Sequence, residues 1–170
     1  MTLEEKISQI SIFHMMTNIL VGGDVELDEA TRASLANGIG GLGRPGQHAG
    51  AKETACATNA FQKYLREHTR LGTPAFFVDE ALDGLMAYGS TSFPQAIGLA
   101  STWDPELVQE VFEAAAREMR VRGENWALTP VLDLAREPRW GRTEETYGEK
   151  IHSWVHASEW RRCAACRASA

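Results

Sequence analysis

The sequence predicts an α/β fold, a parallel sheet with crossover helices, and about three strand–helix units of it. Three observations carry this. Short apolar runs alternate with longer amphipathic stretches along the chain. The runs Pro74–Val78 (P-A-F-F-V) and Trp126–Leu134 (W-A-L-T-P-V-L-D-L) are nearly continuous in apolar residues, as strands covered on both faces read. Each run ends at or near an aspartate, Asp79 or Asp133, and ligand sites of parallel sheets lie at strand C-termini. A closed barrel of eight such units takes about 250 residues, whereas the chain has 170. Within such a parent this segment would be open, with unpaired apolar strand edges.

The elements follow in order. Thr2 and Glu5 form a capping box ahead of Leu3, Ile7 and Ile10 at helical spacing, so a short amphipathic helix opens the chain. Ile10 to Met16 is an apolar patch interrupted by Ser11 and His14, and Gly22, Gly23 and Asp24 break the pattern that follows. Gly38-Ile39-Gly40-Gly41-Leu42-Gly43 suits a buried strand whose backbone is closely approached. It lacks the Lys-Ser/Thr end of a phosphate loop. A second helix is predicted from Lys52 to about Glu67. A third starts at Asp104 as N-cap with Pro105 at the first helical position. Its apolar stripe is Leu107, Val108, Val111, Ala115 and Met119, and Gly123 ends it.

Composition narrows the function classes. Apolar residues make up 44% and charged residues 24%, an ordinary globular balance that permits a core. A net charge of −6 argues against nucleic acid, which needs clustered Lys and Arg. No run of 18 apolar residues exists to span a membrane. The start lacks the basic-then-apolar order of an export signal. Three cysteines, Cys56, Cys163 and Cys166, then read as free thiols, and the expected location is cytoplasmic.

Several residues could carry chemistry, each with a plainer alternative. Asp79 sits where a strand ends, with Glu80 and Asp83 close by; it binds a ligand, or it caps the following turn. Arg139 and Arg142 flank Trp140, and an indole face with guanidinium donors makes a sugar platform. The same segment also reads as an exposed ion-pair cluster with Glu144 and Glu145. Those two glutamates are adjacent and point in different directions, so they do not straddle one glycosidic bond. They read as a solvated helix start. His152, His156, Cys163 and Cys166 have the spacing of a zinc site. They stand in a tail of Trp, His, Cys, Arg and Ala that follows no strand or helix logic.

The stretches T-L-E-E-K-I-S-Q-I, G-I-G-G-L, F-V-D-E-A-L-D-G, F-P-Q-A-I-G-L-A-S-T-W-D-P-E-L and T-P-V-L-D-L-A-R-E-P-R-W-G-R-T-E-E-T-Y-G-E carry a resemblance. Residues 1–149 resemble the N-terminal domain of glycoside hydrolase family 3, on its β-glucosidase and β-xylosidase branch rather than the N-acetylglucosaminidase branch. The resemblance implies an incomplete (β/α)8 TIM-type barrel. It implies a retaining β-glycosidase with an aspartate nucleophile, a separate acid/base and no metal or other cofactor. By motif position, Asp79 looks like the carboxylate that accepts hydroxyls of the terminal sugar, and Arg142 like its partner in that subsite. Trp140 lies on the same stretch. Two departures stand out: Asp83 where many members carry His, and Glu137 where many carry Asp. The first leaves the preferred aglycone open.

The family's Lys-His pair, its nucleophile and its acid/base have no counterpart in the 170 residues. The expectation is therefore binding of a glycoside or oligosaccharide without turnover. After Glu149 the family pattern ceases at Lys150-Ile151-His152. Joining the last base of each codon to the first two of the next, from Lys150 on, allows N-P-F-L-G-S-C-I-G-M-A-A-V-R-G-M-Q-G-E-R. That continuation fits the family, so residues 150–170 are expected to be a frameshifted, non-native tail. Two other expectations stand beside this one: a non-catalytic sugar-binding module, and a small interaction protein with a zinc-binding tail. An open barrel segment buries little apolar surface against its chain entropy. Residues such as Val78 and Val131 should lack partners, and the isolated chain is expected to aggregate or stay molten.

Overall fold

The computed structural model describes residues 1–14 and 27–149. Helices and strands alternate as expected: α1 (Leu3–Gln9), β1 (Ile12–His14), α2 (Glu29–Ser34), β2 (Gly41–Gly43), α3 (Ala51–His68), β3 (Phe76–Glu80), α4 (Ala96–Ala100), α5 (Pro105–Val121) and β4 (Trp126–Leu128). A short 3₁₀ turn covers Thr143–Glu145. The four strands form one sheet in the order β1-β2-β3-β4. β2 runs parallel to both neighbours, with Leu42 beside Phe13 on one side and Phe77 on the other. The tail that carries His152, His156, Cys163 and Cys166 lies outside the described residues, as do Gly22, Gly23 and Asp24.

The chain forms two compact units. The first comprises Met1–Asp79, Ala87–Gly89 and Val121–Ala127; the second comprises Glu80–Met86, Ser90–Arg120 and the chain from Leu128.

In the first unit, Thr2 caps α1 and accepts from the Glu5 amide, while the Glu5 carboxylate accepts from the Thr2 amide at 2.7 Å. The core gathers Leu27, Leu35, Ile39 and Leu42 against Phe61, Leu65, Ala75 and Phe77. α3 supplies its share through one buried stripe, Thr54, Ala57, Thr58, Phe61 and Leu65, at helical spacing. The chain enters β2 through Gly40 because the α1–β1 turn presses on that entry. A Cβ at Gly40 would run into the Gln9 carbonyl. The Gly40 amide instead donates to the Ser8 carbonyl at 2.8 Å.

The second unit centres on α5. Asp104 caps it, accepting from the Leu107 amide at 3.0 Å. Val108, Val111 and Phe112 pack with Leu99 of α4 and half-buried Phe93.

The structure departs from the sequence reading at four points. The apolar patch after α1 contains a strand, β1, because its backbone pairs with β2 even though Ile12 and Phe13 stay 45% and 37% exposed. β4 stops at Leu128, well short of Leu134. Pro130 has no N–H to continue a ladder. The α5 stripe turns toward Phe112 and Ala116, leaving Leu107 39% exposed. Val78 is covered at 2% exposure. Among the apolar residues left open are Phe76, Trp126, Leu128 and Leu132, at 55%, 44%, 43% and 68%. Phe76 and Trp126 offset part of that exposure by meeting edge to face at 5.5 Å.

Candidate functional site

Asp79 occupies the last buried position of β3, at 1% exposure. The strand holds it from both sides. The Arg44 amide, just past β2, donates to the Val78 carbonyl at 2.8 Å. The Asn125 side chain accepts from the Phe77 amide at 2.8 Å, and the Asn125 amide donates back to the Phe77 carbonyl at 3.1 Å. A carboxylate at this depth is costly to ionise unless charges or donors compensate it.

Two residues of the junction between α5 and β4 share its surroundings, and sequence reasoning missed both. Arg122 and Glu124 are 3% and 1% exposed. Gly123 between them takes φ +82°, which ends the helix, and a Cβ there would run into Thr58 Oγ1. Thr58 Oγ1 donates to the Arg122 carbonyl at 3.0 Å, tying this junction to α3. The Arg122 guanidinium donates to the Tyr88 carbonyl at 3.2 Å and reaches the Ala49 carbonyl at 3.5 Å. The Tyr88 amide donates to the Gly46 carbonyl at 3.0 Å. One buried guanidinium therefore links the β2–α3 loop to the segment Ala87–Gly89.

Glu124 lies inside this frame. Neither of its carboxylate oxygens has a hydrogen-bond partner among the described residues. Burial, reinforced by the negative charge of Asp79 and opposed by Arg122, pushes its carboxyl up to about 8. Gly46 makes room for it: a Cβ there would lie 2.9 Å from Glu124 Oε1 and 2.9 Å from the Ala87 Cβ. The signal that could have found Glu124 was an Arg-Gly-Glu triplet at a helix-to-strand junction. There both charged side chains are carried inward by a glycine with positive φ.

The other expected residues belong to the second unit. Arg142 makes a two-pronged ion pair with Glu145, Nε to Oε1 at 2.8 Å and Nη2 to Oε2 at 2.5 Å. This pair, with lesser contributions from Glu80 and Asp133, raises the guanidinium pKa. Arg139 pairs in the same way with Glu137, at 2.8 Å for both prongs. It holds the Glu137 carboxyl at about 2. Trp140 is 36% exposed, and its carbonyl accepts from Thr143 Oγ1 at 2.8 Å. The exposed ion-pair reading of this segment is thus present in the geometry, with Glu145 and Glu137 as the acids. Glu144 and Glu145 are the last two residues of the 3₁₀ turn Thr143–Glu145 rather than the start of an α-helix.

No group of three His, Cys, Asp or Glu side chains among the described residues could hold a metal ion. No helix among them is long and apolar enough to cross a membrane.

Known proteins share both the sequence and the architecture. A β-xylosidase of Formosa agariphila is 45% identical over 86 residues, which cover 47% of this chain and 12% of that protein. A solved β-glucosidase from Erythrobacter marinus superposes with a TM-score of 0.82 at 37% identity, covering 97% of this chain and 21% of its own. A mutant β-glucosidase from Listeria innocua, solved in complex with laminaribiose, superposes with a TM-score of 0.71 at 28% identity, covering 97% of this chain and 22% of its own. The chain therefore spans about a fifth of the length of these solved relatives. Residues 2–158 match the family described as glycosyl hydrolase family 3 N terminal domain, and the chain belongs to that family.

Proposed function

We propose that this chain carries the hydroxyl-binding side of the terminal-sugar subsite of a β-glycosidase, acting on a β-glucoside or β-xyloside. Asp79 is the acceptor for sugar hydroxyls, Arg142 a donor in the same subsite, and Trp140 an apolar platform. One observation carries the reading: Asp79 is a buried carboxylate at the C-terminal end of a parallel strand, inside the matched segment. An ionised carboxylate accepts only, which suits vicinal hydroxyls. The Listeria innocua relative was solved with laminaribiose, a sugar ligand of the same class.

Asp79 is not assigned the covalent step, because a carboxylate committed to hydroxyl binding cannot also attack the anomeric carbon. Tested alone, the chain binds and does not hydrolyse. Calorimetry with glucose and xylose should show saturable binding that Asp79→Ala weakens by about 10- to 100-fold, as expected for a charged hydrogen bond. Aryl β-glucoside and β-xyloside should show no turnover. Turnover abolished by Asp79→Ala would overturn the inactive reading, and binding indifferent to Asp79→Ala would overturn the subsite.

The domain organisation we propose is a family segment over 1–149 and a frameshifted tail over 150–170. The family match itself extends to residue 158. Resequencing across codons 145 to 175 tests the proposed organisation. A frame error at about codon 150 whose correction restores family sequence supports it, and an unaltered frame contradicts it.

A further inference from the structure

The cluster of Asp79, Arg122 and Glu124 holds one more acid than sugar binding at Asp79 needs. Two buried carboxyls close enough to act on each other cannot both carry full charge without cost. Where two acids share a site, their surroundings decide which one keeps the proton. Here Glu124 is 1% exposed, neither oxygen has a hydrogen-bond partner among the described residues, and the wall against Oε1 is the bare backbone of Gly46. The charged groups acting on it are Asp79 from β3 and Arg122 from its own junction. Ala87 and, from α3, Thr54 line the Gly46 side without charge. We propose that Glu124 is a positioning residue for sugar binding at Asp79, acting as an uncharged carboxyl that leaves Asp79 to carry the cluster's negative charge. This rests on the assignment of Asp79 to the sugar subsite.

The consequence is a coupled pair. In this reading Glu124 stays neutral and Asp79, whose charge acts on it, is the acceptor for sugar hydroxyls. When Glu124 ionises, a second negative charge is buried within reach of Asp79. The strand end then no longer holds Asp79 in a single position.

The test uses the full chain with carboxyl carbons labelled for NMR, titrated from pH 5 to 10, and D-glucose as the probe. Glu124 should titrate well above the ordinary glutamate range. The Asp79 resonance should show a second step at the same midpoint, and Glu124→Gln should remove that step. Glucose affinity should fall at least threefold across this midpoint in the wild type and stay level in Glu124→Gln. Asp79→Asn, which removes the neighbouring charge, should lower the Glu124 midpoint, and this comparison needs no folded Glu124 variant. Ordinary titration of Glu124, an Asp79 resonance without the step, or a Glu124 midpoint unmoved by Asp79→Asn would each overturn the positioning role. Coupled titration with no glucose binding at any pH would overturn the sugar assignment, and the positioning role with it.

Discussion

Two glutamates of the first unit are buried to nearly the same depth, Glu5 at 5% and Glu124 at 1% exposure, and their chemistry runs in opposite directions. Glu5 is fully satisfied. Arg70 grips both oxygens, Nε to Oε1 at 2.7 Å and Nη2 to Oε2 at 2.6 Å, and the Thr2 amide donates as well. The Arg70 bond, then the Thr2 amide, hold its carboxyl down at about 2. Glu124 has no such donors, and burial together with Asp79 lifts it to about 8. Depth alone therefore does not set the charge of a buried acid; the supply of donors does. Glu5 fastens α1 to the turn after α3, a task of folding. Glu124 is left uncompensated next to Asp79, and uncompensated acids concentrate at functional sites.

The strongest way to break this comparison is stability as a function of pH. Glu124 has a folded pKa above its unfolded one, so its contribution is fully present below about 4.5 and is lost as pH rises to about 8, then levels off. Across that window the wild type should lose stability relative to Glu124→Gln, on the order of 1 kcal/mol per pH unit. Parallel denaturation curves for the two proteins from pH 5 to 8 would contradict it. Glu5 works the other way. Its folded pKa is depressed, so its contribution is present above about 4.5 and is lost as pH falls toward about 2. Arg70→Met should lower the melting temperature at pH 7, and the gap to wild type should close at acid pH. A gap that widened in acid would remove Glu5 from the clamp.

Smaller effects sharpen the picture. Gly46→Ala should cost about 1–3 kcal/mol, the usual range for overpacking, because its Cβ meets both Glu124 and Ala87. It should also shift the Glu124 titration, which chemical denaturation and carboxyl NMR would read together. Thr58→Val should cost about 1 kcal/mol by removing the bond to the Arg122 carbonyl, while leaving the Glu5 titration where it was.

The fold was legible wherever periodicity was strong. α3 and α5 each carry a long buried stripe, and Thr2 and Asp104 announce their helices by capping chemistry. β1 was hidden because its side chains remain exposed and only backbone pairing makes it a strand. Of the candidate site, the placement of Asp79 was readable because a strand end is a position visible in sequence. Glu124 was not, since a glutamate in a polar turn looks solvated until Gly123 and Gly46 are seen to fold it inward. Arg142 and Trp140 lie where local ion pairing dominates the geometry, as the plainer reading of that segment expected.

The most direct test of the central claim, that Asp79 is a sugar-binding carboxylate, is a glucose titration of the wild-type chain beside Asp79→Ala, followed by calorimetry at pH 6. The account predicts saturable binding in the wild type and a loss of at least tenfold in the variant. Equal affinity in the two proteins, or no binding in either, would contradict it.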